Sequence, residues 1–261
     1  MENRDLVLGL AAGYHAPDLR PFAASLRQSG FAGRCLVFVT ASTTGAGSLE
    51  QYGIEAVPFE RPADQAHVPY NAWRYFLYRD LLRGNPDFGR VLLTDVRDVV
   101  FQSDPMAHAW PHGFCAMLED PSATVGSCPH TSRWVRGHLG EAALADLAAF
   151  PLSCSGVSLA PAPLMLAYLE RLCDRLLPFT PGPNMAGYDQ GVHNLVLRRD
   201  PPGPVHFLGN DGPVLTLGSK PGDPGLSADG RVLNDAGVPA VMVHQYDRKP
   251  ALFARIRKHY A

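Results

Sequence analysis

The run Arg90-Val91-Leu92-Leu93-Thr94-Asp95-Val96-Arg97-Asp98-Val99-Val100-Phe101 reads as a buried strand that stops at an acid and then starts again. Carboxylates are seldom buried without a partner or a metal. Two of them between apolar blocks therefore mark a strand end where oxygen ligands gather around a hard divalent cation, Mn2+ or Mg2+. The plainer alternative is an ion-pair cluster of Asp95, Arg97 and Asp98, with an acid capping the next element. Asp95 and Asp98 are three apart, and in a straight strand that spacing sends side chains to opposite faces. They can share one ion only where the strand ends at Asp95 and the chain turns.

Working outward, apolar strands alternate with amphipathic helices through the first hundred residues. Residues 6–10 form a short apolar run closed by Ala11-Ala12-Gly13-Tyr14, and Leu19, Phe22, Ala23 and Leu26 recur at helical spacing behind Pro17 and Asp18. Residues 35–39 and 55–59 read as further strands, and residues 73–82 as a helix with Phe76, Leu77 and Leu81 on one face. This β-α-β-α order predicts an α/β domain whose mostly parallel sheet carries helices on both faces. Ligands bind such sheets outside the carboxyl ends of the strands, so Tyr14, His15 and Asp95 are expected in one crevice. Later, residues 114–118 form an apolar strand ending in Glu119 and Asp120, and residues 153–160 a strand entered through a glycine. Residues 164–177 read as a helix, residues 201–237 as long glycine- and proline-rich loops, and residues 241–244 as a strand ending in a polar cap.

With 261 residues, 46% apolar and 18% charged, the chain is long enough for one substantial core and too apolar to be disordered. A net charge of -2 gives no basic footprint for nucleic acid. Five scattered cysteines without a C-x-x-C pair predict neither a disulfide framework nor a zinc knuckle and fit a reducing cytoplasm. The mixed charge of the first five residues predicts no signal peptide of normal form, and no apolar run reaches the roughly 20 residues that span a bilayer. His108, His112, His130 and His138 show no ligand spacing and are expected in loops or at the surface.

Four segments, in order, resemble the GT-A nucleotide-sugar glycosyltransferases of the retaining, glycogenin and lipopolysaccharide-galactosyltransferase type. They are Asp95-Val96-Arg97-Asp98, Ser155-Gly156-Val157, Asp189-Gln190-Gly191-Val192-His193-Asn194 and His244-Gln245-Tyr246-Asp247-Arg248-Lys249-Pro250. The first departs from the D-x-D of that family by placing Arg97 where its second acid stands. The resemblance implies a Rossmann-like GT-A fold over 1–261, with a nucleotide-binding half, 1–110, and a sugar and acceptor half, 111–261. It implies metal ligation by Asp95, Asp98 and His244, with Asp95 alternatively receiving the ribose or a metal-bound water, phosphate contact by Lys249 with Arg248 in reserve, and a sugar site of Gly156, Asp189 and Gln190. Breaking the bond from anomeric carbon to diphosphate builds negative charge on the leaving group, which explains the need for a cation and for Lys and Arg donors.

Arg74, on the helix before the acidic strand, has five fixed donors suited to a diphosphate, and Arg97 can supply positive charge near it. Tyr14 and His15 are candidates for the base, and Glu119 for acceptor recognition or a catalytic base. The implied partners are a nucleotide-sugar donor and an acceptor that is a glycan, a lipid-linked intermediate, a protein or a small metabolite. Plainer roles remain for each: a helix N-cap for Asp189, a helix-surface position for Asn194, a solvated basic tail after His244. Two other functions remain open, a nucleotidyltransferase on a similar sheet and a non-catalytic nucleotide-sugar binding module. The first usually shows a glycine-rich basic loop after its first strand, which Leu10-Ala11-Ala12-Gly13-Tyr14 lacks.

Overall fold

In the computed structural model, which describes residues 4–261, the acidic run is the point where the chain leaves one sheet and enters another. Before it come β1 (Leu6–Ala11), α1 (Ala16–Gln28), β2 (Arg34–Val39), β3 (Ile54–Pro58) and α2 (Tyr70–Gly84). β4 (Arg90–Thr94) ends at the acids, and β5 (Val99–Phe101) resumes after them. Next are β6 (Phe114–Leu118), α3 (Pro129–Leu139), α4 (Glu141–Leu147), β7 (Ser153–Pro161), α5 (Ala162–Leu176) and α6 (Tyr188–Arg199). β8 (Val205–Leu208), β9 (Val214–Thr216), β10 (Met242–His244) and α7 (Pro250–His259) complete the order.

The main sheet has seven strands in the order β3-β2-β1-β4-β7-β6-β8. β1, β2, β3 and β4 pair in parallel, as do β6 and β8, while β7 runs antiparallel to both of its neighbours. Strand order reverses at β1, the kind of switch point that opens a crevice at the carboxyl ends. One face buries Leu6, Leu8, Val91 and Leu93 against α2, α5 and α6. The other buries Val7, Val37 and Leu92 against Leu19 and Phe22 of α1 and against Phe101 and Met242 of the smaller sheet. That smaller sheet, β5-β10-β9, covers its outer side with Leu252 and Ile256 of α7. The result is an α/β domain with a mostly parallel central sheet flanked by helices.

Several sequence expectations need correction. Residues 201–237 are not all loop, since β8 and β9 lie there and extend both sheets. The basic segment after His244 is not an irregular tail: Pro250 starts a helix at a position that needs no N–H donor, and that helix buries Leu252 and Ile256 while Arg255 and Lys258 stay exposed. His138 is half-buried on α3, its Nε2 2.8 Å from the Arg175 carbonyl. Among the described residues no helix is long and apolar enough to cross a membrane. The first three residues, on which part of the leader expectation rests, lie outside the described residues.

Candidate functional site

The acidic turn is shaped by Val96, which is 2% exposed and drives into the core beside Gly9. A β-carbon on Gly9 would overlap the Val96 side chain, so the missing side chain at position 9 is what lets the turn bury its middle residue. With Val96 anchored inward, β4 stops at Thr94 and the two acids no longer obey strand alternation. The Asp95 N–H still donates to the Gly156 carbonyl at 2.8 Å, which fixes where the turn begins. His244 ends β10, opposite Val99. Ligand atoms of Asp95, Asp98 and His244 thus all lie within 4.8 Å of one another.

Electrostatics mark this trio as short of positive charge. Burial and the neighbouring Asp95 push the Asp98 carboxyl up to about 6, against the pull of His244. Burial would raise Asp95 too, but Arg74 and His244 outweigh it and hold that carboxyl well below the usual range. Burial disfavours a charged His244, yet Cys154, Asp95 and Asp98 together raise its pKa well above that of free imidazole. A proton on His244 therefore sits where a divalent cation would serve, and a two-carboxylate, one-imidazole donor set suits Mn2+ or Mg2+.

Asp95 and Asp98 line a cleft of about 470 Å³ at the carboxyl ends of the strands, while His244 beside them is wholly buried. Its walls include Tyr14, Arg74, Asp95, Arg97 and Asp98, with Cys154, Ser155, Gly156, Asp189, Gln190 and Arg248. Gly156 is a close-approach position: a β-carbon there would lie 2.5 Å from Cε1 of His244 and 2.7 Å from Oδ2 of Asp95.

Arg74 joins the two halves of the cleft. Its guanidinium is 8% exposed at the residue level, bonds the Asp95 carboxylate, and donates to Tyr75 Oη at 3.0 Å and to the Ser155 carbonyl at 3.3 Å. It also pairs with Asp189 at 3.4 Å. Asp189 sits in the first turn of α6, 2% exposed, and accepts from Ser155 Oγ at 3.2 Å. Its second oxygen, Oδ1, is buried with no hydrogen-bond partner among the described residues. Gln190 bridges the Ser155 N–H at 3.4 Å and Thr131 Oγ1 at 3.1 Å. Asp189 is thus no helix cap, and Asn194 is no surface residue: it is buried and holds both the N–H and the carbonyl of Ser153.

Three other expected residues lie elsewhere. His15 stands at the start of α1, its ring 2.7 Å from Thr44 Oγ1, and is not on the cleft wall. Glu119 is 4% exposed just after β6 and is not on the cleft wall. Lys249 donates to the Lys220 carbonyl and stays off the wall, whereas Arg248 lines it. Arg97 reaches the cleft mouth but is paired with Asp247. Sequence reasoning missed Trp134, Tyr75, Cys154 and Gln245. Tyr75 follows Arg74 and Cys154 precedes Ser155, so their neighbours carried a signal; Trp134 lies on a helix that periodicity did not reveal. Gln245 takes the left-handed conformation, φ 58°, which turns the chain away from His244 after its N–H bonds the Asp98 carbonyl at 2.8 Å.

No protein-family model matches this chain, and no curated protein matches it in sequence.

Proposed function

We propose that the protein is a metal-assisted glycosyltransferase of GT-A type, moving a sugar from a nucleoside-diphosphate donor to an acceptor hydroxyl. The observation that carries this reading is one cleft at the carboxyl ends of the strands. It joins a two-carboxylate, one-imidazole cation site to a buried carboxylate with a free oxygen, through the single guanidinium of Arg74.

Each residue then has a task. Asp95, Asp98 and His244 would hold Mn2+ or Mg2+, which when bound supplies Lewis-acid stabilisation of the charge growing on the departing diphosphate. Arg248 and Arg97 at the mouth add donors for the same oxygens, Arg248 taking the place expected of Lys249. Oδ1 of Asp189 accepts a sugar hydroxyl, and a donor lacking that hydroxyl leaves the oxygen unpaired, which is a penalty and so a source of selectivity. Burial raises the Asp189 pKa and Arg74, paired with that carboxylate, opposes the rise and aims it, while Gln190, held by Ser155 and Thr131, forms the adjoining wall. Tyr14 offers its ring to the base at the β1 end of the cleft.

The test is a thermal-shift panel of UDP, GDP, CDP, ADP and dTDP, each with Mn2+, Mg2+ or EDTA. A ligand at about a hundred times its dissociation constant stabilises by about 2.7 kcal/mol, a shift of several degrees in a chain of this length. We expect one nucleotide to shift the melt with metal and not with EDTA. An equal shift in EDTA removes the metal role, and no shift with any nucleotide removes the function. Pyrophosphate release from a nucleoside triphosphate would replace it with nucleotidyl transfer.

A further inference from the structure

β7 presents its side chains alternately to two partners. Ser153 and Ser155 face α6, where Ser153 Oγ lies 2.9 Å from His193 Nε2 and Ser155 Oγ bonds Asp189. Cys154 and Gly156 face β10. Gly156 has no side chain because the His244 ring fills that space, and Cys154 fills what remains, with Sγ 3.8 Å from Nδ1 of His244. The thiol is 2% exposed. Nδ1 is the ring nitrogen turned away from the cation site; Nε2 faces Asp95 Oδ2 at 3.3 Å.

An imidazole can give only one lone pair to a cation. If Nε2 is the donor, the ring proton stays on Nδ1 and needs an acceptor, and that acceptor sets both tautomer and ring orientation. The Cys154 sulfur stands within reach of that proton, 3.8 Å from Nδ1. Sulfur also accepts at longer range than oxygen, whose N–H···O contacts centre near 2.9–3.0 Å. A ring backed by sulfur therefore stands closer to Asp95 and Asp98 than one backed by oxygen from the same position.

From this geometry we infer that Cys154 is a positioning residue, whose sulfur accepts Nδ1–H of His244 and holds the ring with Nε2 aimed between Asp95 and Asp98. Its consequence for metal affinity rests on the function proposed above; the Nδ1–H···S contact itself does not.

Two measurements on the full chain test it. The first is Mn2+ binding without nucleotide, followed by electron paramagnetic resonance, for wild type, Cys154→Ala and Cys154→Ser. Losing an outer partner of a metal-bound His typically weakens binding roughly 10- to 100-fold. The Ala variant should fall in that range, and the Ser variant, which keeps an acceptor of shorter reach, should lose less. The second is the Nδ1–H signal of His244 in 15N-labelled protein without metal, which should persist in wild type, exchange faster in Cys154→Ser and disappear in Cys154→Ala. An Ala variant equal to wild type in both readouts overturns the inference, and so does a Ser variant that loses as much as Ala, since packing and not acceptance would then be at work. If wild type binds no Mn2+, the metal reading of the proposed function falls, and the Nδ1–H signal alone decides the role of Cys154.

Discussion

The guanidinium of Arg74 stands 3.4 Å from the carboxylate of Asp189, with side-chain exposures of 10% and 3%. Such a pair has given up hydration on both sides, so its value depends on both members being present. Removing one partner leaves an uncompensated charge, at a cost of about 3–5 kcal/mol. Arg74→Ala should lower the unfolding free energy by about that amount in urea. Arg74→Lys should recover only part, because one ammonium cannot match the fork that serves Asp95, Ser155 and Asp189 together. An Ala variant as stable as wild type would show that the pair is held by the fold and not the reverse.

Asp189→Asn separates the sugar's partner from the fold. The amide keeps the shape and can still accept from Ser155 and Arg74, yet it puts an NH2 donor where the unpartnered Oδ1 acceptor stands. We expect transfer to fall about 100-fold, the scale of losing one aimed polar group at a reacting centre, while nucleotide affinity changes by less than about threefold. Equal losses in rate and affinity, measured by initial velocities and calorimetry, would make Asp189 a structural residue.

Gly156→Ala asks whether the cation site tolerates one carbon. The added methyl would lie 2.5 Å from the His244 ring and 2.7 Å from Asp95, so one of them must retreat. Overpacking of this kind costs about 1–3 kcal/mol, and Mn2+ affinity should drop at least about tenfold as the trio spreads. Wild-type Mn2+ affinity in this variant would place the binding atoms elsewhere.

His193 predicts acid sensitivity of a definite sign. It is wholly buried between Ser153 and Tyr168, whose hydroxyls lie 2.9 Å and 2.7 Å from its two nitrogens. Burial lowers its pKa from 6.5 to about 3. Between those values the unfolded chain binds a proton that the native state refuses. Stability from the neutral ring is therefore complete above pH 6.5 and lost as pH falls toward 3, by up to about 1.4 kcal/mol per pH unit. A His193→Gln variant should show a shallower fall in unfolding free energy between pH 6 and 4. Parallel curves would mean that His193 takes up its proton in the native state as readily as in the unfolded chain.

Much of the first half was legible because its strands are fully apolar and its helices amphipathic, so residues 35–39 or 73–82 declare themselves by period alone. Direction does not show in such runs: nothing in residues 153–160 says that β7 runs against its neighbours. β8 and β9 hid among glycines and prolines because three- or four-residue strands are fixed by their sheet and not by their own composition. Asp95 and Asp98 were readable, since acids between apolar runs need a reason to be there, whereas His244 joined them only through the resemblance; the structure brings all three together. Lys249 and Glu119 were misplaced for a simpler cause. Both lie at element ends, where one residue of turn decides which way a side chain points, and sequence carries no record of that rotation.

Asp95 and Asp98 follow the last strand before the sheet switch, whereas His244 ends a strand of the smaller sheet, 149 residues after Asp95. An ion gripped by all three would act as a removable cross-link, closing a loop longer than half the chain. By chain-entropy reasoning, closing a loop of that length in the unfolded state is worth on the order of 5 kcal/mol. Occupancy of the site and docking of the tail would then be one equilibrium viewed from two ends. A lesion far from any ligand, in β9 or under α7, would register as poor metal affinity, and metal depletion would register as a loosened carboxyl-terminal segment.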